Sequence, residues 1–241
     1  MSLPITTDQS IGGRRLSSER WLLITATLVS FALWYIPGAQ LVLYPIRLFV
    51  TLIHEGGHAL MTLLTGGSVQ GMAIRSDGSG VTMSLGGMPF FVYMAGYLGA
   101  TGFGALALQL CRKPGNGRRS LMFLAAVVFV VTGLWLRPWG ESFFGFAVGL
   151  GVGTVLLAGS RFLKEPQAAF VTAFLAVQLC LNALFDVRDL VWLTTNTAAD
   201  NDAVFMARAF GLTPWFWALL WAAGAAAILG LSLRSYWRNS K

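Results

Sequence analysis

Thr51-Leu52-Ile53-His54-Glu55-Gly56-Gly57-His58-Ala59-Leu60-Met61-Thr62 is the stretch that decides how the rest of the chain is read. It contains His-Glu-x-x-His, and His54 and His58 are the only histidines in the protein. Residues four apart share one face of a helix, so both imidazoles can reach a single metal ion. Glu55 stands beside His54, where a carboxylate can take a proton from water activated by that metal. A lone buried histidine is usually a satisfied core residue; two in register beside a glutamate, in a chain with no others, are not explained that way. The motif also lies in a strongly apolar segment, where ionisable groups are costly and mark function. The reading is a zinc site buried in a membrane.

Composition extends that reading to the whole chain. Of 241 residues, 56% are hydrophobic and 11% charged, whereas soluble domains carry about a quarter charged residues. The expected fold is therefore an all-α polytopic membrane protein, one integral membrane domain over residues 1–241. The net charge of +7 comes from basic residues that flank apolar runs. That placement fits contact with the lipid bilayer and gives no reason to expect a nucleic-acid partner. Cys111 and Cys180 are the only cysteines and imply no disulfide framework.

Around the motif, the chain divides as follows. Residues 1–20 form a polar tail, and 21–37 an uncleaved first span, because no small-x-small cleavage site follows it. Pro45 is expected to open the second helix, which stops at Gly66-Gly67. Thr51, His54, Glu55, His58, Thr62 and Thr65 make a polar stripe along it. A β-hairpin is expected over 67–87, turning at Asp77-Gly78. A third span, 88–110, carries Gly96, Ala100 and Gly104 every four residues, read as a helix-packing face. The basic loop 111–120 is assigned no ligand. Residues 121–136 and 143–160 are either two short spans or a re-entrant element. A span over 167–193 places Gln178, Asn182, Asp186 and Asp189 on one face. A polar loop, 194–211, holds Asp200 and Asp202, and the last span covers 212–233. The expectation is six to seven transmembrane helices, with the catalytic core in 41–193; no feature assigns an oligomeric state.

Catalytic zinc usually takes three protein ligands and keeps one position open. With no third histidine, the remaining ligand must be a carboxylate or a thiolate. Inside the apolar segments these are Glu55, Asp186, Asp189 and Cys180. Glu55 is better used as the base. Asp186 is the first choice, being one turn deeper than Asp189 and on the Asn182 side of the stripe; Asp189 is the alternative. His, His and carboxylate suit zinc, and would also accept iron or manganese.

His54-Glu55-Gly56-Gly57-His58 in a membrane helix, followed by a hairpin, a small-residue helix and a helix with Asp186, resembles the site-2-protease family of intramembrane zinc metalloproteases. Within it, the chain is most similar to the compact bacterial subgroup without a PDZ domain. The resemblance covers roughly residues 41–193. It implies His54, His58 and Asp186 as zinc ligands, Glu55 as general base, a membrane-protein substrate, and a place in the bacterial cytoplasmic (inner) membrane. It further implies hydrolysis of a peptide bond in or near a transmembrane segment, with the hairpin holding the unwound substrate as an added strand. Two positions depart from the family's pattern. Tyr97 stands where a proline follows the glycine, and Asn182-Ala183-Leu184-Phe185-Asp186-Val187 is the nearest counterpart of the Asn-Pro and Asp-Gly signature. Two other classes use the same ligands without turnover: a zinc-binding membrane transporter or sensor, and a catalytically inactive membrane scaffold.

Overall fold

The metal-motif helix, α1 (Gln40–Leu64), is the element on which the others are assembled. The computed structural model describes residues 21–238 apart from 22, 31, 34, 35, 37, 114 and 197–199; for 40, 182–196 and 236–238 it describes the backbone alone. The polar tail 1–20 lies outside the described residues, and within the first expected span residues 23–30 are helical.

Helix α1 starts earlier than the sequence implied. Leu43 N–H already donates to Ala39 O, and Pro45 lies inside the helix instead of opening it. Leu41 and Val42 extend the apolar cylinder and are exposed, as lipid-facing residues would be. Pro45 is the sixth residue of the helix, where it removes one backbone donor, the one that would reach Leu41 O. The end is as expected: Thr65 and Gly67 N–H groups return to Met61 and Thr62 carbonyls, and Gly66 turns the chain with φ +84°.

The hairpin pairs β1 (Ser68–Ile74) antiparallel with β2 (Gly80–Leu85), with a register shift between Val69 and Gly71. Its turn uses Asp77-Gly78: Arg75 N–H donates to Ser79 O, Asp77 Oδ1 accepts from Ser79 N–H, and Gly78 has φ +86°. The same Ser79 hydrogen bonding holds the Asp77 carboxyl below the usual carboxylate range. The hairpin runs back along α1. Tyr44 Oη donates to Ser76 O at 2.6 Å and Thr51 Oγ1 to Gly78 O at 2.9 Å, both from the polar side of the helix.

Helix α2 (Pro89–Cys111) follows, starting on a proline at its first position and containing a π-helical turn, Ala95–Gly99. Then come α3 (Gly117–Trp135), a 3-10 turn at Gly140–Ser142, and α4 (Phe143–Phe162). The break at 137–141 therefore joins two full helices, which pack along each other, and makes no re-entrant element. Helix α5 (Glu165–Asn196) packs on α2 where Gly104 lies against it; a Cβ there would sit 2.6 Å from Ala176 O. Such close approach substitutes for the hydrophobic driving force that helices lack in lipid. The core gathers Leu52, Leu108, Leu121, Leu124, Val128 and Leu179.

The expected polar loop 194–211 is in part a helix, α6 (Asp202–Phe210), before the final α7 (Pro214–Arg238). Asn201 caps α6, its Oδ1 accepting from Val204 N–H at 3.0 Å, and Gly211 ends it. Ala203 and Met206 are buried with Trp217, Ala218 and Trp221 of α7, and Tyr93, Tyr97 and Leu98 of α2 pack on that cluster. Four stretches are long and apolar enough to cross a membrane among the described residues: Pro89–Cys111, Gly117–Trp135, Gly140–Phe162 and Pro214–Ser235. Helix α1, with 25 residues, spans about 37 Å at 1.5 Å per residue, but its polar stripe sets it apart from these four.

Candidate metal centre

Helical spacing brings His54 and His58 together, with 3.0 Å between their Nε2 atoms. His58 is buried, and its Nδ1 is 2.7 Å from Val92 O on α2. A carbonyl can only accept, so Nδ1 carries a proton, and in the neutral ring Nε2 is the nitrogen with a free lone pair. A hydrogen bond of this kind fixes the tautomer and ring angle of a metal-binding histidine.

The third group is Asp202, the first residue of α6. Its Oδ2 lies 3.1 Å from His54 Nε2 and 3.2 Å from His58 Nε2. The sequence-based choices, Asp186 and Asp189, lie on α5 where side chains are outside the described residues. Asp200 is turned elsewhere, with Oδ1 2.7 Å from the Arg208 guanidinium.

The donor set fits a metal ion. His54, His58 and Asp202 each offer one ligand atom, all within 4.8 Å of one another. Bonds of about 2.0 Å to a tetrahedral zinc place ligand atoms about 3.3 Å apart, close to the 3.0, 3.1 and 3.2 Å observed. The same distances are those of hydrogen bonds with a shared imidazole proton, and a metal ion in that proton's place would join all three atoms at once.

Backbone approach keeps the centre open. A Cβ on Gly57 would overlap the Ala95 carbonyl oxygen, so α1 and α2 touch at main-chain distance. A Cβ on Gly96 would overlap His54 Nε2 and come within 2.5 Å of His58 Nε2. Gly96 lies in the π turn of α2, and π bulges recur at functional sites. The glycine spacing read from sequence as packing alone thus divides: Gly104 packs, while Gly96 leaves room at the imidazoles. Tyr97, where the resemblance led one to expect proline, packs perpendicular to the His54 ring, with centroids 4.6 Å apart, and stacks on Trp221 at 5.3 Å.

Glu55 is buried beside the histidines, and its Oε2 accepts a hydrogen bond from Thr82 Oγ1 of β2 at 2.7 Å. His54, His58, Asp202, Glu55 and β2 line one cleft of about 550 Å³, with Arg47 and Arg75 also on its wall. Such an arrangement can hold a cation, a water and a carbonyl next to a carboxylate base.

Asp202 is the residue that sequence reasoning missed. A local signal existed: Asn201 as a cap, Ala203, Met206 and Ala207 on one face, and Gly211 as a stop describe a short amphipathic helix. Nothing in that pattern says that its first residue meets α1.

A family model described as Peptidase M50B-like matches residues 23–232. No curated protein and no solved structure matches the chain. The matched segment contains the histidine pair, Glu55, the hairpin and Asp202, and the chain belongs to the Peptidase M50B-like, site-2-protease-like family.

Proposed function

We propose that the protein is a zinc-dependent intramembrane endopeptidase that hydrolyses a peptide bond in or near a transmembrane segment of a substrate protein. The observation that carries this reading is the shared cleft: a buried Glu55 carboxylate beside the His54–His58–Asp202 donor set, inside a bundle of membrane-length helices.

His54, His58 and Asp202 are the proposed ligands, in place of Asp186 or Asp189. Bound there, zinc supplies Lewis acidity, polarising a carbonyl and making water easier to deprotonate. Glu55 accepts a proton from the attacking water as its oxygen bonds to the carbonyl carbon. The same carboxyl then gives that proton to the amide nitrogen as the C–N bond breaks, leaving an acid and an amine. A helical substrate must unwind first, because its carbonyls are engaged in their own hydrogen bonds. In this reading β2, whose residues line one wall of the cleft, takes the unwound segment as an added strand.

The test compares bacterial cells producing wild type with cells producing Glu55→Gln, by labelling new protein N-termini in isolated membranes. N-termini that arise inside apolar segments with wild type alone support the proposal. Identical profiles from equally abundant proteins overturn it and favour a non-hydrolytic metal-binding protein.

A further inference from the structure

The face of β2 that meets α1 is built around the Glu55 side chain. Thr82 Oγ1 lies 2.7 Å from Glu55 Oε2 and 3.1 Å from Glu55 O. The hydroxyl has one proton, and the shorter contact to a charged oxygen is the stronger hydrogen bond. Two residues earlier, on the same face of the strand, a Cβ on Gly80 would sit 2.6 Å from both Glu55 Cγ and Oε1. Gly80 therefore leaves the space that the carboxylate fills, and Thr82 holds one of its oxygens. Among the described residues, Thr82 is the side-chain hydrogen-bond donor to this carboxylate. Thr51, one turn before Glu55 on α1, borders the same gap; its Cγ2 would also meet a Cβ at Gly80 at 2.8 Å.

We propose that Thr82 is a positioning residue for the catalytic base: the hairpin, through the Thr82 hydroxyl and the gap at Gly80, sets the orientation of the Glu55 carboxylate. Oε2 is held by the Thr82 hydroxyl and Oε1 lies in the gap at Gly80, so both carboxylate oxygens are placed by β2. β2 then has two duties in one strand, since the element that receives substrate also aligns the base. This inference rests on the protease reading, with Glu55 as base.

The experiment uses the zinc-loaded, detergent-purified full chain with two readouts. The first is kcat and KM for dye-labelled casein, an unfolded polypeptide that needs no unwinding. The second is the ¹³C spectrum of protein labelled at glutamate Cδ. Its glutamates are Glu19, Glu55, Glu141 and Glu165, and the Glu55 line is identified by its loss in Glu55→Gln. Thr82→Val, which keeps the shape and removes the hydroxyl, is expected to lower kcat about 10- to 100-fold with KM and zinc content unchanged. It should also move the Glu55 line by more than its width. Thr82→Ser is expected to restore both. Wild-type kcat in Thr82→Val, or an unmoved Glu55 line, overturns the proposal while leaving the protease reading intact. A wild type that never cleaves, with the line moving as expected, overturns the protease reading and with it the catalytic role given to Thr82.

Discussion

Asp202 Oδ2 sits 3.1 Å from His54 Nε2, although the two residues are 148 positions apart in the chain. One comes from the middle of a long helix and the other from the first position of a nine-residue helix near the far end. Zinc content should follow that contact. Purified wild type is expected to hold about one zinc per chain, lost in His58→Ala and in Asp202→Ala. Asp186→Ala and Asp189→Ala should keep it. Elemental analysis of the four variants decides the matter, and retention of zinc by well-folded Asp202→Ala would remove Asp202 from the ligand set.

Gly96→Ala tests the room left for the ion. The added methyl would overlap His54 Nε2 and press on His58 Nε2. Zinc binding is expected to fail while helix content, measured by circular dichroism, stays at the wild-type level. Gly102→Ala is the matched control on the same helix, because nothing lies within 4 Å of a Cβ there. Equal zinc loading in both variants would show that α2 does not limit the site.

Glu55→Gln separates turnover from binding. The amide is nearly the same size and sits outside the ligand set, so zinc content should be unchanged. Without a base, casein cleavage is expected to fall about 10²- to 10⁴-fold. Cleavage within a few-fold of wild type would exclude Glu55 as the base.

These three expectations differ in how much of their ground was visible in the sequence. The histidine pair and Glu55 were legible because i and i+4 positions on a helix are neighbours whatever the tertiary structure. The hairpin was legible for the same local reason, its turn being written in Asp77-Gly78. The carboxylate that meets the histidine pair, Asp202, was not. Asp186 and Asp189 were favoured because they lie in an apolar run, where a carboxylate needs a purpose, while Asp202 lies in a polar stretch where it needs none. What carries Asp202 to the metal helix is packing between elements: Ala203 and Met206 buried against Trp217 and Trp221, with Tyr93 and Tyr97 beside them. Contacts of that kind leave no periodic mark in the chain. Pro45 misled for the opposite reason. A proline is a strong local stop, yet the apolar residues before it continue the helix, and one missing donor near the start does not outweigh them.

The cap of α6 ties local helix chemistry to the metal centre and gives the last expectation. Asn201 Oδ1 accepts from Val204 N–H, and the next residue is Asp202 itself. Removing a cap of this type costs about 1 kcal/mol of helix stability. In a helix of nine residues that loss falls on the first turn, which is the turn that aims the carboxylate. Asn201→Ala should therefore weaken zinc binding about fivefold, since tenfold in an equilibrium constant corresponds to about 1.4 kcal/mol. Asn201→Ser, which retains a capping oxygen, should bind almost as tightly as wild type. Competition against a chelator of known affinity measures both. Equal affinities for Asn201→Ala and wild type would mean that packing on α7 alone fixes Asp202, and that the cap is dispensable to the site.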